Sequence, residues 1–365
     1  ILGKVLAESE LDSKLATIEC KEDRSMFSRQ WSKPRKYYEG PQKKGKEGGL
    51  FSIIIDPSKC KGCAECVTVC GDEALKMIPK TESVMDSIRK SHRLFKNFGP
   101  SNPDYINDNL LIDMMLKEET YIYVGGAGSC AGCGEGTALR MLCAATGAKY
   151  GNQWGIAAAT GCNTVYTSTY PYNSYLVPWT NSLFENVAAD AMGIRARWDQ
   201  KGWTDKPIWC IGGDGAMFDI GFQSLSRMLA SGMNVKAFVL DTQVYSNTGG
   251  QASTSTYTGQ NAKMSFHGKV YNGKQERRKE LAQIAMMHPR TFVAQTTAAH
   301  TNHFYKAVIA ALEFDGPAVI NCYTTCQPEH GVADNMSADQ ARLAVDSRAF
   351  PLFVYDPRKG ETIKK

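Results

Sequence analysis

From residue 119 onward the chain repeats one rhythm: an apolar strand, a glycine-rich turn, then a helix. Runs at 121–124, 156–159, 207–211, 235–240, 292–296 and 318–323 read as strands, and the patterns at 137–145, 182–197, 220–229 and 302–313 read as helices. Alternation of this kind predicts an α/β fold, a doubly wound and mostly parallel sheet with helices on both faces. It also fixes where chemistry sits. In such a sheet the turns that follow neighbouring strands open on one crevice.

A different element precedes that rhythm. Cys60, Cys63, Cys66 and Cys70 are spaced C-x2-C-x2-C-x3-C, the thiolate spacing of a bacterial-ferredoxin cluster loop. The spacing predicts a small ferredoxin-like unit over 51–80, entered by an apolar strand at 51–55 and left by a short helix and strand over 72–78. Residues 1–50 read as an extension. Its stretch 32–49 carries Lys33, Arg35, Lys36, Lys43, Lys44 and Lys46 among prolines and glycines. A charge run of this kind is ordinarily a solvated linker; the sharper reading is a docking surface for an acidic electron carrier or a partner subunit. Residues 81–118 read as a polar, helical connector, and 119–365 as the main domain.

A chain of 365 residues buries a core without disulfide staples. Its cysteines at metal spacing, with no secretory signal at the start of the sequence, favour a reducing cytoplasm. A net charge of +5 is mild, and no basic and aromatic residues interleave as they do in nucleic-acid binders. No apolar run approaches membrane-spanning length. A cluster moves one electron at a time, so redox chemistry on a bound organic group is the expected purpose.

The strand at 207–211 runs into Gly212-Gly213-Asp214-Gly215. Glycines there let backbone amides at a helix start approach an anion. Asp214 adds a hard carboxylate, suited to Mg2+ on a diphosphate. Gly-Asp-Gly by itself occurs in many strand-to-helix turns. The next strand ends in a second polar turn, Leu240 through Gln251, that would share the crevice. Three further turns hold thiols: Ser129-Cys130-Ala-Gly-Cys133-Gly-Glu135, Thr160-Gly-Cys162-Asn163 and Thr325-Cys326. A CxxC of this kind fits zinc, a redox dithiol or a cluster. Cys143, Cys210 and Cys322 lie in apolar segments and read as small buried hydrophobes. Cys322 stands four residues before Cys326 and is the nearest rival for its role.

Asp214, followed by Thr242 28 residues on and by Val244 30 residues on, resembles a thiamine-diphosphate motif. Thr at the middle position, where Asn is commoner, together with Tyr245-Ser-Asn-Thr-Gly-Gly-Gln251, resembles the 2-oxoacid:ferredoxin oxidoreductases and their pyruvate-specific branch. The resemblance covers roughly 119–358. It implies that Asp214, Thr242 and the Val244 carbonyl hold Mg2+ beside thiamine diphosphate, with Gly213, Gly215 and Thr248 lining the cofactor. It implies that Asn247 faces the reacting ring, that Glu135 and Cys162 lie near it, and that Cys130, Cys133, Cys162 and Cys326 ligate a [4Fe–4S] cluster. With the Cys60 loop this makes two clusters on the chain.

The resemblance has departures. Pyruvate enzymes of this family carry two ferredoxin motifs where this chain has one. Gly71 stands where a proline normally follows the fourth cysteine. The cluster is expected on Cys60, Cys63, Cys66 and Cys70, with Cys20 as a substitute for the last. The implied activity is coenzyme A-dependent oxidative decarboxylation of a 2-oxoacid, pyruvate first, with electrons leaving to ferredoxin. The activating Glu is expected from a partner subunit, which makes this chain part of a hetero-oligomer. Oxalate, 2-oxoglutarate, 2-oxoisovalerate and indolepyruvate are alternative substrates. A non-oxidative thiamine decarboxylase and a pure electron-transfer subunit are the competing classes; crevice thiols argue against the first, and intact Asp214, Thr242 and Asn247 against the second. His330 reads as a proton donor or a hydrogen-bonded loop residue, and His267, His288, His300 and His303 as structural.

Overall fold

The computed structural model describes residues 2–108, 110–124, 128–169 and 172–360. Its strands are β1 (Leu2–Ala7), β2 (Gly49–Ile54), β3 (Gly155–Ala159), β4 (Ser168–Thr169), β5 (Tyr172–Asn173), β6 (Trp179–Ser182), β7 (Ile208–Gly213), β8 (Lys236–Asp241), β9 (Phe292–Thr297), β10 (Ala318–Tyr323) and β11 (Phe353–Tyr355). Seven of them form one sheet in the order β11-β9-β10-β8-β7-β3-β6. Every pairing in it is parallel except β11 on β9.

Strands covered on both faces read as unbroken apolar runs rather than as alternations. Every residue of β8, β9 and β10 is buried. Successive residues still point to opposite faces, and the core divides accordingly. Ile156, Trp209, Ile211, Phe238, Leu240 and Ile320 pack on one side under the helices Gly134–Tyr150 and Thr301–Glu313. Ala157, Cys210, Ala237, Val239, Val293 and Val319 pack on the other under Val187–Gln200, Phe222–Ala230 and Leu281–Met286. This is the doubly wound α/β sheet that the alternation predicts. Parallel pairing brings the ends of β3, β7, β8 and β10, at Ala159, Gly213, Asp241 and Tyr323, to a single edge.

Several expected elements differ. Residues 121–124 form no strand of the sheet. Tyr123 makes an isolated antiparallel bridge with Tyr175, its ring 5.4 Å from that of Tyr175 and capped by Arg140, so the alternating aromatics mark side-chain packing. The helix expected at 182–197 is Val187–Gln200, because Ser182 ends the edge strand β6 against Ala159. Residues 72–78 contain neither helix nor strand.

Residues 1–50 and 81–118 are not an extension and a connector. β1 pairs antiparallel with β2, Leu2 opposite Ile54 and Ala7 opposite Gly49. Leu6, Leu11, Ile18, Phe27, Leu50 and Ile54 form a core with Phe95 and Phe98, at the end of the Glu82–Asn97 helix. The apolar residues before 50 are sparse among charges and acquire a core only from that later helix. In the basic stretch, Lys33 binds Glu8 at 2.7 Å and Lys36 pairs with the buried Asp113. Arg35, Lys36, Lys43 and Lys44 line an open groove.

Candidate functional site

β7 ends at Gly213, and a wide helical turn, Gly215–Ile220, follows Asp214. Gly215 has a packing reason to lack a side chain: a Cβ there would lie 2.9 Å from the Tyr245 ring. Asp214 is 3% exposed. Burial, and then the neighbouring Asp241 carboxylate, push its pKa well above the ordinary carboxylate range. Thr242, just past the end of β8, donates its hydroxyl toward Asp214 at 3.3 Å and toward the Val244 carbonyl at 3.0 Å. Ser253 donates to the other Asp214 oxygen. Carboxylate, hydroxyl and carbonyl oxygens therefore meet at one buried point. That all-oxygen donor set is what a hard divalent cation takes, and a cation there would offset the cost of ionising a buried carboxylate.

Beside this corner lies a cavity of about 190 Å3 whose walls include Cys130, Cys133, Cys162, Cys326, Thr242 and Asn247. Cys162 follows β3 and Cys326 follows β10, as expected. Among the described residues no strand leads into Cys130 and Cys133; Cys133 caps the Gly134–Tyr150 helix, its sulfur accepting from the Gly136 amide at 3.4 Å. The Ser246 hydroxyl hydrogen-bonds the Cys326 sulfur, and the Asn247 amide hydrogen-bonds that of Cys162. Burial pushes the Cys133 thiol up to about 12 and raises Cys162 and Cys326 as well. Such thiols ionise only against a positive centre, as they do on a metal. Among the described residues, no three His, Cys, Asp or Glu side chains converge on a point suited to a single metal ion.

Glu135 is buried in the same wall, and burial pushes it up to about 7 while the Tyr166 hydroxyl, donating at 3.2 Å, pulls the other way. It can hold a proton at neutral pH. Thr248 is exposed and its hydroxyl donates to the Gln251 side-chain carbonyl at 2.7 Å. His330 hydrogen-bonds the Cys326 amide through Nδ1 at 3.4 Å, and burial lowers its basicity. His288 binds Ser226 and His303 binds Thr296. Cys143, Cys210 and Cys322 are fully buried in the sheet cores.

The Cys60 loop leaves β2 and holds a short helix, Glu65–Thr68. Cys60, Cys63, Cys66 and Cys70 are all half-buried. The Ala74 amide donates to the Cys70 sulfur at 3.3 Å, the kind of contact that tunes a cluster thiolate. Cys20 is exposed and its thiol binds Glu22 at 3.2 Å.

Motif reading missed Ser253 and Tyr166 and gave Ser246 no role, yet the hydroxyls of all three complete the site. It also missed Asp219, which accepts from the Tyr245 hydroxyl at 2.7 Å and so ties the 245–251 turn to the Gly215–Ile220 turn. Serine in a polar loop carries no spacing signal; Tyr245 and Ser246 enter the sequence reading only as members of the Tyr245–Gln251 motif, without a role.

Residues 159–322 match the family described as Thiamine pyrophosphate enzyme, C-terminal TPP binding domain, and residues 53–76 match the 4Fe-4S binding domain. The chain is 28% identical to the pyruvate-flavodoxin oxidoreductase of Rhodospirillum rubrum, over 87% of this chain and 32% of that protein. It is 38% identical to the pyruvate synthase subunit PorB of Pyrococcus horikoshii, over 62% of this chain and 70% of the subunit. The chain spans about a third of the length of the relatives from Rhodospirillum rubrum, Escherichia coli and Moorella thermoacetica. A solved 2-oxoglutarate:ferredoxin oxidoreductase from Magnetococcus marinus overlaps 55% of this chain and 64% of its own at a TM-score of 0.45 and 22% identity, too weak a likeness to carry an argument. The cofactors of the two matched domains are thiamine diphosphate and a 4Fe–4S cluster. Because it shares this level of identity with most of a PorB subunit and carries both domain types, the chain belongs to the 2-oxoacid:ferredoxin oxidoreductase family.

Proposed function

We propose that this chain is the thiamine- and cluster-bearing part of an enzyme that oxidatively decarboxylates a 2-oxoacid, pyruvate first, to an acyl-coenzyme A. The observation that carries this reading is a shared wall: the Thr242–Asn247 turn contributes oxygen atoms to the Asp214 corner and hydrogen bonds to Cys162 and Cys326. Bound thiamine diphosphate supplies an electron sink for loss of CO2. Asp214, Thr242 and the Val244 carbonyl would hold Mg2+ on its diphosphate, with Gly213 and Gly215 giving the backbone room. Asn247 would orient the reacting end against Cys162, and Glu135 would hold a proton beside it. Cys130, Cys133, Cys162 and Cys326 would hold a [4Fe–4S] cluster that takes electrons singly, and Cys60, Cys63, Cys66 and Cys70 a second that passes them to ferredoxin or flavodoxin. A non-oxidative decarboxylase needs no such outlet.

The test is anaerobic reduction of ferredoxin by the whole complex, given coenzyme A and a panel of 2-oxoacids. Pyruvate is expected to support the fastest reduction. Carbon dioxide release without any ferredoxin reduction would refute the oxidative reading.

A further inference from the structure

We propose that residues 334–338 form a bridge between the two thiol sets, fixing their separation and carrying the electron from one to the other; this rests on the function proposed above. The stretch lies just beyond Cys326 and touches a ligand loop at four of its residues. The backbone of Asp334 presses on the Cys130–Cys133 loop: a Cβ on Gly132, whose φ is +67°, would fall 1.8 Å from the Asp334 carbonyl oxygen. Ser337 hydrogen-bonds Thr325, the residue before Cys326, hydroxyl to hydroxyl at 2.7 Å. Asn335 reaches the other way and donates its amide to the Thr68 hydroxyl at 3.2 Å. Thr68 lies between Cys66 and Cys70. The Ala338 amide donates to the Glu65 carboxylate, adjacent to Cys66.

One five-residue stretch thus holds both loops by short polar contacts. A continuous route of covalent and hydrogen bonds runs Cys326, Thr325, Ser337, Asn335, Thr68, Cys66. Such a route couples electron donor to acceptor better than an open gap, and a chain of hydrogen bonds also fixes its members in place. In the step itself one electron would leave the cluster that Cys130, Cys133, Cys162 and Cys326 would hold, oxidising it, and would enter the one that Cys60, Cys63, Cys66 and Cys70 would hold, reducing it; no proton or bond would change hands. The bridge residues ligate nothing and are positioning residues.

The experiment uses the cluster-loaded complex, kept anaerobic, with iron and sulfide counted in each sample. Electron paramagnetic resonance of the dithionite-reduced protein reads the magnetic interaction between the two clusters. Freeze-quenching after addition of pyruvate and coenzyme A reads when the electron reaches the second centre. Asn335→Ala and Thr68→Val are expected to keep full iron, to lose the interaction splitting and to delay that arrival. Thr68→Ser, which keeps the hydroxyl, is expected to behave as the parent. If Asn335→Ala sheds iron, Ser337→Ala, on the far side of the bridge, gives the same reading. Full iron with parental splitting and parental arrival in Thr68→Val and Ser337→Ala overturns the bridge. A parent complex that contains iron for only one cluster overturns the proposed function instead.

Discussion

The carboxylate of Asp214 is held by hydroxyls from two turns, Thr242 and Ser253. Their roles separate by substitution. Asp214→Ala is expected to abolish thiamine diphosphate binding, read by calorimetry with Mg2+ present, while iron content stays parental; retained tight binding would refute the assignment. Ser253→Ala touches only the partner of that oxygen, and loss of an outer contact of this kind typically lowers metal affinity about 10–100-fold. Cys322 and Cys326 are told apart by iron counting. Cys322 is fully buried in β10 among apolar neighbours, so Cys322→Ala is expected to keep all the iron and Cys326→Ala to lose a cluster. The opposite result would exchange their roles. Spacing made the Cys60–Cys70 loop legible and Asp214 a candidate, whereas Thr242, Val244 and the crevice cysteines were legible only through resemblance to a family motif. Ser253 and Tyr166 were not legible, since a hydroxyl that completes a site from another loop follows no period. Thr248 belongs to the same motif, and the local turn bonds its hydroxyl to Gln251.

Among elements, the central strands were plain in the sequence and the edges were not. β8, β9 and β10 are buried at every position and largely apolar, whereas β6, Trp179–Ser182, is only half covered and does not read as a strand. The buried start of β8 offers a pH test. Lys236 is fully buried, and burial pushes its ammonium down to about 7 although the Phe314 and Gly316 carbonyls accept from it. Above that value the folded chain binds fewer protons than the unfolded one, so stability is expected to rise with pH from about 7 toward the ordinary lysine range. Lys236→Met should flatten that rise; an unchanged slope in thermal unfolding at pH 7 and pH 9 would exclude Lys236 as its source. In the N-terminal unit, Phe27 is fully buried against Trp31 and Phe98. Phe27→Ala is expected to cost about 3–5 kcal/mol of that unit's stability, measured by denaturant unfolding. A change near zero would mean that β1 and β2 need no core of their own.

At the scale of the whole molecule, the Asp214 corner and the thiol cavity are contiguous, and the Cys60 loop is tied to the same region through Asn335. Thiamine chemistry requires an activating carboxylate beside the cofactor's aminopyrimidine, and we expect it from outside this chain. The isolated chain, reconstituted with thiamine diphosphate, Mg2+ and iron–sulfur clusters, should show no ferredoxin reduction with pyruvate and coenzyme A; turnover by it alone would refute that requirement. Motif spacing and apolar runs determined the α/β class, the strand-end location of the chemistry and the ligand types, because these follow from periods of a few residues that any chain must obey locally. Tertiary structure alone decided that residues 2–54 share a core with Phe95 and Phe98, that hydroxyls of Ser246 and Ser253 close the site, and that 334–338 touches both cysteine loops. Those contacts join residues tens to hundreds of positions apart, and no local pattern encodes which distant segments pack together.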